Sequence, residues 1–260
     1  MKVEVLENTN DKVKFTVRDT SDVFVNTLRR SIVSNVPTMA VDVVTFQKNS
    51  SVLYDEVLAH RLGLVVLKTD LKSYNLKEEC KCKDEGCAKC QAHITLKAKG
   101  PCTVYASDIK TDDPKVQPIY PKTLLVKLLK NQELQLEATA TLGRGKTHVK
   151  YSPGWVFYQA VPEVKILKAS NINDAPKVCP TNVFSDKGGV VKVKDELNCI
   201  LCMACVDACG EENISIKGSK TVFIITLESF GQLKLNEIIS TAIEGFDEKL
   251  DQFVDALEKK

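Results

Sequence analysis

No stretch of the sequence is long and apolar enough to cross a bilayer: "TVFIITL" (221–227) has seven residues where a spanning helix needs about 20. The N-terminal "MKVEVLENTNDKVKF" lacks the apolar core of a signal peptide, so a cytoplasmic protein with no membrane partner is expected. Charge of one sign is also lacking. The 36 Lys and Arg nearly cancel the 34 Asp and Glu, which excludes a field strong enough to hold DNA, RNA or an anionic membrane, so any dealing with DNA should be indirect. No Gly-x-Gly-x-x-Gly marks a flavin or nicotinamide site.

A phosphate-binding loop is missing too, although "ATLGRGKT" (140–147) comes near one. Ala140 stands where the first glycine belongs, and such a loop must open a helix whose N-terminus receives the phosphates. The next residues are instead "HVKYSPGWVF", extended and broken by Pro153 and Gly154. No carboxylate or nucleophile accompanies His148 and Lys150 at an informative spacing, so both read as surface residues or partner contacts and no catalytic residue is expected.

What the sequence does have is apolar content and cysteine. With 43% apolar residues over 260 positions it can bury a sizeable core. Ten cysteines would be odd as disulfides in a reducing compartment, and all but Cys102 fall into two spaced groups, which points to thiolate ligation of metal.

The first group is "CKCKDEGCAKC", with the spacing Cys80-x-Cys82-x4-Cys87-x2-Cys90. Two close pairs joined by a loop whose Gly86 allows a tight turn suit one tetrahedral zinc ion, closed to catalysis, its charge partly offset by Lys77, Lys81, Lys83 and Lys89. His93 offers a substitute ligand, but four thiolates already complete the shell and an ordinary strand position is the better reading.

The second group is "NCILCMACVDACG" (198–210), whose Cys199, Cys202, Cys205 and Cys209 have the spacing of bacterial-type ferredoxins. In two-cluster ferredoxins the last cysteine of such a run ligates the other cluster. Upstream, Cys179-Pro180 looks like the end of a matching run, yet counting back finds Ala175, Ile172 and Ala169. One [4Fe-4S] cluster is therefore expected, on Cys179, Cys199, Cys202 and Cys205, with Cys209 left over as an alternative ligand, a disulfide partner or a buried thiol. Loss of one ligand would leave a [3Fe-4S] form. A rough repeat agrees: Cys179 leads into "VFSDKGGVVKV" and Cys209 into "ISIKGSKTVFI", both strand-like.

Along the chain, "KVEVL" and "DKVKFTV" alternate around "ENTN" as a hairpin, followed by a helix that Ser21 caps, that carries Val25, Leu28, Ile32 and Val36 at helical spacing, and that Pro37 stops. A second helix is expected over 55–62 with Gly63 as terminator, then a buried strand "LVVL" (64–67) and mostly strands to about residue 165, among them "HITLKAK", "TLLVKLL" and "LQLEATATL". Residues 166–218 form a separate cysteine-bearing module. After it come the strand "TVFIITLES" and a helix over 232–260, in which Ile239, Ile243, Phe246, Leu250, Phe253 and Leu257 form a narrow seam suited to one partner helix.

The run "DVFVNTLRRSIVSNVPTMAVDVVTFQKNSSVLYDEVLAHRLGLVVL" (22–67) closely resembles the α-like subunit family of multisubunit RNA polymerases. The likeness lies in Asn26-Thr27-Leu28-Arg29-Arg30, Val36-Pro37, Ala40-Val41-Asp42, Asp55-Glu56 and His60-Arg61-Leu62; "LGRGKTHVKYSP" (142–153) is similar to a second signature of that family. The cysteine loop and the ferredoxin-like segment are together similar to its archaeal branch. The resemblance implies an α+β fold, with a dimerisation domain made of residues 1–40 and 219–260. Into it would be inserted a mostly-β domain (41–165) carrying the zinc loop and a ferredoxin-like iron-sulfur domain (166–218). It also implies a non-catalytic assembly subunit that pairs with subunit L and recruits subunits N and P and then the second-largest subunit, with Arg29 and Arg30 facing the large subunits. Nucleotidyl transfer would belong to the two largest subunits. Some relatives carry two full cysteine runs, which this chain does not. The rival reading is a ferredoxin-like electron-transfer subunit of an oxidoreductase.

Overall fold

In a computed structural model, residues 1–82, 85–168 and 171–258 are described. Lys83, expected to offset the charge of a zinc site, and Ala169, in the depleted cysteine run, lie outside the described residues. The fold is mixed α and β and mostly sheet. The chain begins with β1 (Lys2–Asn8), β2 (Lys12–Arg18), α1 (Asp22–Asn35), β3 (Pro37–Asn49) and α2 (Asp55–Gly63). It continues through β4 (Gln91–Lys99), β5 (Cys102–Tyr105), β6 (Lys110–Thr111), β7 (Leu124–Leu128), β8 (Glu133–Arg144) and β9 (Gly154–Ile166). Then follow α3 (Ala175–Val178), β10 (Phe184–Lys187), β11 (Val190–Val193), α4 (Ala204–Cys209), β12 (Ile214–Ser229) and α5 (Leu235–Glu258).

Two compact units divide these elements. The first comprises Met1–Glu7, Lys14–Asn26 and Phe157–Thr226. It holds the four-stranded sheet β1-β2-β12-β9 and the β10-β11 hairpin, with α3 packed on α4. Its α1 segment starts as expected: the Phe24 N–H donates to Ser21 Oγ at 3.3 Å, satisfying one of the first-turn donors that a helix leaves unpaired. A small apolar cluster of Ile172, Val183, Phe184, Val191, Val206, Ile214 and Ile216 is completed by buried Cys199, Cys205 and Cys209.

The second unit comprises Asn8–Val13, Thr27–Val156 and the chain from Leu227 onward. Its sheet order is β3-β8-β4-β6, and β5 pairs with β7. β4 alternates, burying Ala92, Ile94 and Leu96, because a strand with one wet face must place every second residue inward. Ile94 and Leu96 lie opposite Ala138 and Leu136 of β8, and Leu58 and Leu62 of α2 join the same core.

Three expectations are corrected. "LVVL" (64–67) is not a strand: Leu64 closes α2, and beyond it only Leu67 makes a bridge, to Pro118. The run is apolar because Val65 and Leu67 are core residues of an irregular segment, and periodicity cannot separate that from a short buried strand. Gly63 is the last residue of α2, and Leu64, in αR, is its C-cap, so no left-handed glycine ends the helix. The strand read at "TVFIITLES" begins earlier, at Ile214, and takes in "ISIKGSK" as one sixteen-residue strand.

Candidate metal centres and interface

The first thiol group closes on itself. All four sulfurs of Cys80, Cys82, Cys87 and Cys90 lie within 4.8 Å of one another. Cys80–Cys87 and Cys82–Cys90 are 3.6 Å apart and Cys87–Cys90 is 3.8 Å apart. A tetrahedron with metal–sulfur bonds of about 2.3 Å has edges of about 3.8 Å, so the cage has the size of one tetrahedral ion. Local backbone builds it. The Cys90 N–H donates to the Cys87 carbonyl at 2.9 Å, and the Asn75 N–H to the Lys89 carbonyl at 2.8 Å, which closes the loop at its base. Gly86 sits at φ +86°, where a side chain would be strained and a Cβ would stand 2.5 Å from the Gln91 side chain.

The thiols are electrically unequal. The backbone N–H of Lys89, helped by the Cys80 thiol, lowers Cys87 to about 7, whereas burial pushes Cys90 up to about 12. A metal ion must displace the protons of both. Lys81 and Lys89 are exposed, but Lys77 points elsewhere, its Nζ 3.3 Å from Asp42 Oδ2. His93 lies on β4 with its N–H donating to Asp112 Oδ1 at 3.0 Å, and is not part of the sulfur cage.

The second group is spread over a turn and two short helices. Cys179 ends α3, Cys199 follows a 3-10 turn (Glu196–Asn198), Cys205 lies in α4 and Cys209 ends it. Cys202 is exposed, whereas Cys199, Cys205 and Cys209 are buried. Burial first, and then the Cys179, Cys199 and Cys202 thiols, push Cys205 up to about 11. Cys199 is raised likewise, by burial first and then by Cys179 and Cys202. The Cys179 and Cys202 thiols thus bear on both buried thiols, Cys199 and Cys205.

Burial would raise Cys179 as well, but the N–H groups of Val183, Thr181 and Asn182 and the Thr181 hydroxyl outweigh it and bring the thiol below its ordinary value. Between Cys199 and Cys205, Leu201 (φ 57°) and Met203 (φ 64°) are left-handed. Non-glycine residues rarely stay there, so the backbone of this loop is unusually constrained. Four thiols are a donor set of the kind that an iron-sulfur cluster takes, although among the described residues only the first group gathers its sulfurs within 4.8 Å.

On α5 the buried residues are Ile238 and Ala242, and Ser31 Oγ of α1 donates to the Ala242 carbonyl at 2.6 Å. The periodic seam read from the sequence lies on another face: Ile239 and Phe246 are half-buried, and Ile243, Leu250, Phe253 and Leu257 are exposed, Phe253 to 63%. Arg29 is half-buried and Arg30 exposed.

One cluster was missed by sequence reasoning. Lys150 is not a surface residue; its Nζ donates to the Val41 carbonyl at 2.9 Å and to Asp42 Oδ1 at 3.2 Å. The Tyr151 hydroxyl donates to the same Asp42 oxygen at 3.3 Å. The only signal lay in the two segments Ala40-Val41-Asp42 and "LGRGKTHVKYSP", which the fold joins through these bonds. After Lys146 comes a three-residue 3-10 turn (Val149–Tyr151) that leads into β9, in place of the helix that a phosphate loop opens.

Residues 41–157 match the family described as the RNA polymerase Rpb3/RpoA insert domain. Over its whole length the chain is similar to curated relatives named DNA-directed RNA polymerase subunit Rpo3. It is 36% identical over 259 residues to the one from Archaeoglobus fulgidus (99% of this chain, 98% of the relative). It is 34% identical over 263 residues to that of Methanosarcina acetivorans (100% and 99%) and 33% identical over 266 to that of Pyrococcus furiosus (100% and 98%). The chain belongs to the Rpo3 family. Within this Rpo3-family chain, the sulfur cage and the Asp42 cluster fall inside the matched insert domain, whereas the second cysteine group, at 179–209, falls outside it.

Proposed function

We propose that this chain is a non-catalytic assembly subunit of an archaeal DNA-directed RNA polymerase, the α-like member of that enzyme, acting in the cytoplasm and meeting DNA only through the other subunits. The observation that carries the reading is similarity to Rpo3 proteins over 99% of the chain and 98% of the relative. Residues 1–40 and 219–260 form the dimerisation domain, 41–165 the inserted mostly-β domain and 166–218 a ferredoxin-like domain. The α5 seam, Ile239, Ile243, Phe246, Leu250, Phe253 and Leu257, packs on a helix of subunit L, which its exposure on an otherwise anchored helix supports. The pair then receives subunits N and P and the second-largest subunit, with Arg29 and Arg30 turned to the large subunits.

Cys80, Cys82, Cys87 and Cys90 hold structural Zn2+, a reading that the edge lengths of the sulfur cage support. Cys179, Cys199, Cys202 and Cys205 hold one [4Fe-4S] cluster, supported by their spacing and by the influence of the Cys179 and Cys202 thiols on buried Cys199 and Cys205, and Cys209 packs beside it. When bound, the cluster cross-links its segment; the chain's own residues contribute the thiolates, the amide donors and the apolar wall that limits water.

Affinity purification of the tagged full chain from its native cells tests the function. Recovery of the other polymerase subunits in stoichiometric amount is expected. Recovery of an oxidoreductase in their place would overturn it in favour of electron transfer.

A further inference from the structure

The second unit contains a cleft of about 730 Å³ between the end of α1, the start of the thiol loop, the β8 end with its adjoining loop, and α5. Five cations line it: Lys77, Arg144, Lys146, Lys150 and Lys249; the acidic lining residues are Asp42 and Glu78. The charges are unevenly matched. Asp42 serves both Lys77 and Lys150, at 3.3 and 3.2 Å, and Arg144 pairs with Glu79 at 3.0 Å. Lys249 Nζ instead donates to a neutral acceptor, Asn35 Oδ1, at 2.5 Å, and among the described residues neither it nor Lys146 has a carboxylate partner. Lys249 is held below its ordinary value by burial first and then by Arg144 and Lys146, so its ammonium already feels both neighbours as repulsion.

Converging like charges cost stability unless something recovers it, and an incoming anion recovers it here. The form of the cleft selects among anions. A lone phosphate fills a small part of 730 Å³. A nucleotide would want a helix N-terminus after Lys146, and a three-residue 3-10 turn stands there. Single-stranded nucleic acid would want exposed aromatic faces for its bases, but Tyr151 is buried at 5% exposure and His148 Nδ1 accepts the Lys150 N–H at 3.1 Å. Carboxylates already satisfy three of the five cations, which shows that the spacing admits them.

We propose that this cleft is a docking site for an acidic segment of a partner polypeptide, whose Asp or Glu carboxylates pair with Lys146 and Lys249. The surface is separate from the α5 seam and does not depend on the identity of the enzyme that the chain serves.

Fluorescence anisotropy of a fluorescein-labelled hexaglutamate peptide, titrated with the full chain at low salt, tests it. The double variant Lys146→Gln/Lys249→Gln should bind about tenfold more weakly, as the loss of two partly exposed ion pairs implies. The charge-keeping Lys146→Arg/Lys249→Arg should bind like the parent, which separates charge from fold. A control, Lys2→Gln/Lys122→Gln, removes two exposed lysines outside the cleft and should change nothing. Equal affinity of the parent and the Gln double variant, equal loss in the control, displacement of the peptide by equimolar inorganic phosphate, or tighter binding of a single-stranded RNA of matched charge would each overturn the proposal.

Discussion

Asp42 shows how a single carboxylate can tie together segments far apart in sequence. Burial alone would raise its pKa, but the Lys150 and Lys77 ammonium groups outweigh burial and hold it below its ordinary 3.8. A carboxyl whose folded value lies below its unfolded one adds stability above the unfolded value, and that stability is lost as pH falls through the folded value. Asp42→Asn should therefore cost about 1 kcal/mol at pH 7, a charge-assisted network discounted for its partial exposure. In urea melts the gap between parent and variant should narrow as pH falls below 3.8 and through the lower folded value. A gap that stays constant through that range would mean that the carboxylate charge is not what stabilises the contact.

The cysteines make a second prediction at the same scale. If Cys179, Cys199, Cys202 and Cys205 are the ligands, Cys205→Ser should abolish the visible sulfur-to-iron absorption of anaerobically purified protein, whereas Cys209→Ser should keep it. Loss of absorption in both would place Cys209 in the ligand set. Cysteine spacing was legible because a metal site written within a dozen residues needs little from the rest of the fold. The Asp42 network was not, because Asp42 and Lys150 are 108 residues apart and nothing in local pattern announces such a pair.

At the scale of elements, α5 presents two different faces. Ile238 and Ala242 are fully buried against the chain's own core, while Leu250 and Phe253 are 47% and 63% exposed. Leu250→Asp/Phe253→Asp should change the melting stability of the isolated chain by less than about 0.5 kcal/mol, because surface positions contribute little. The same pair should abolish co-purification with the small subunit, since buried charge at an interface core is heavily penalised. Ile238→Ala should do the reverse, costing about 2–5 kcal/mol of stability. If the Asp pair destabilised the isolated chain as much as Ile238→Ala, the seam would belong to the chain's own fold.

Periodicity found the outer seam since its spacing persists over several turns; the inward face escaped because its two buried residues, Ile238 and Ala242, are too few to form a pattern. The "LVVL" segment failed in the opposite way. Its composition reported burial correctly and its conformation wrongly, as the constraint that holds Val65 and Leu67 is the distant core, not a strand partner.

For the whole molecule, the contrast between two of its cores decides what metal removal should do. The core that contains Leu58, Ile94 and Leu136 gathers 23 buried side chains on a four-stranded sheet. The cysteine-bearing cluster has 12, of which Cys199, Cys205 and Cys209 are three. Its helices α3 and α4 are four and six residues long, too short to be stable alone. Small modules of this kind need a cross-link where apolar burial is insufficient. If this segment holds the proposed cluster, removing its iron anaerobically with a chelator should accelerate hydrogen exchange at the Cys179, Val206 and Gly210 amides, which bond to the Ala175, Met203 and Val206 carbonyls. Amides of β4 and β8 should keep their protection, because their partners lie in a sheet whose core contains none of these thiols. Exchange that rose everywhere would make the cluster a determinant of the entire fold. Exchange that rose nowhere would remove its structural role, leaving electron transfer or sensing as the reason to bind iron.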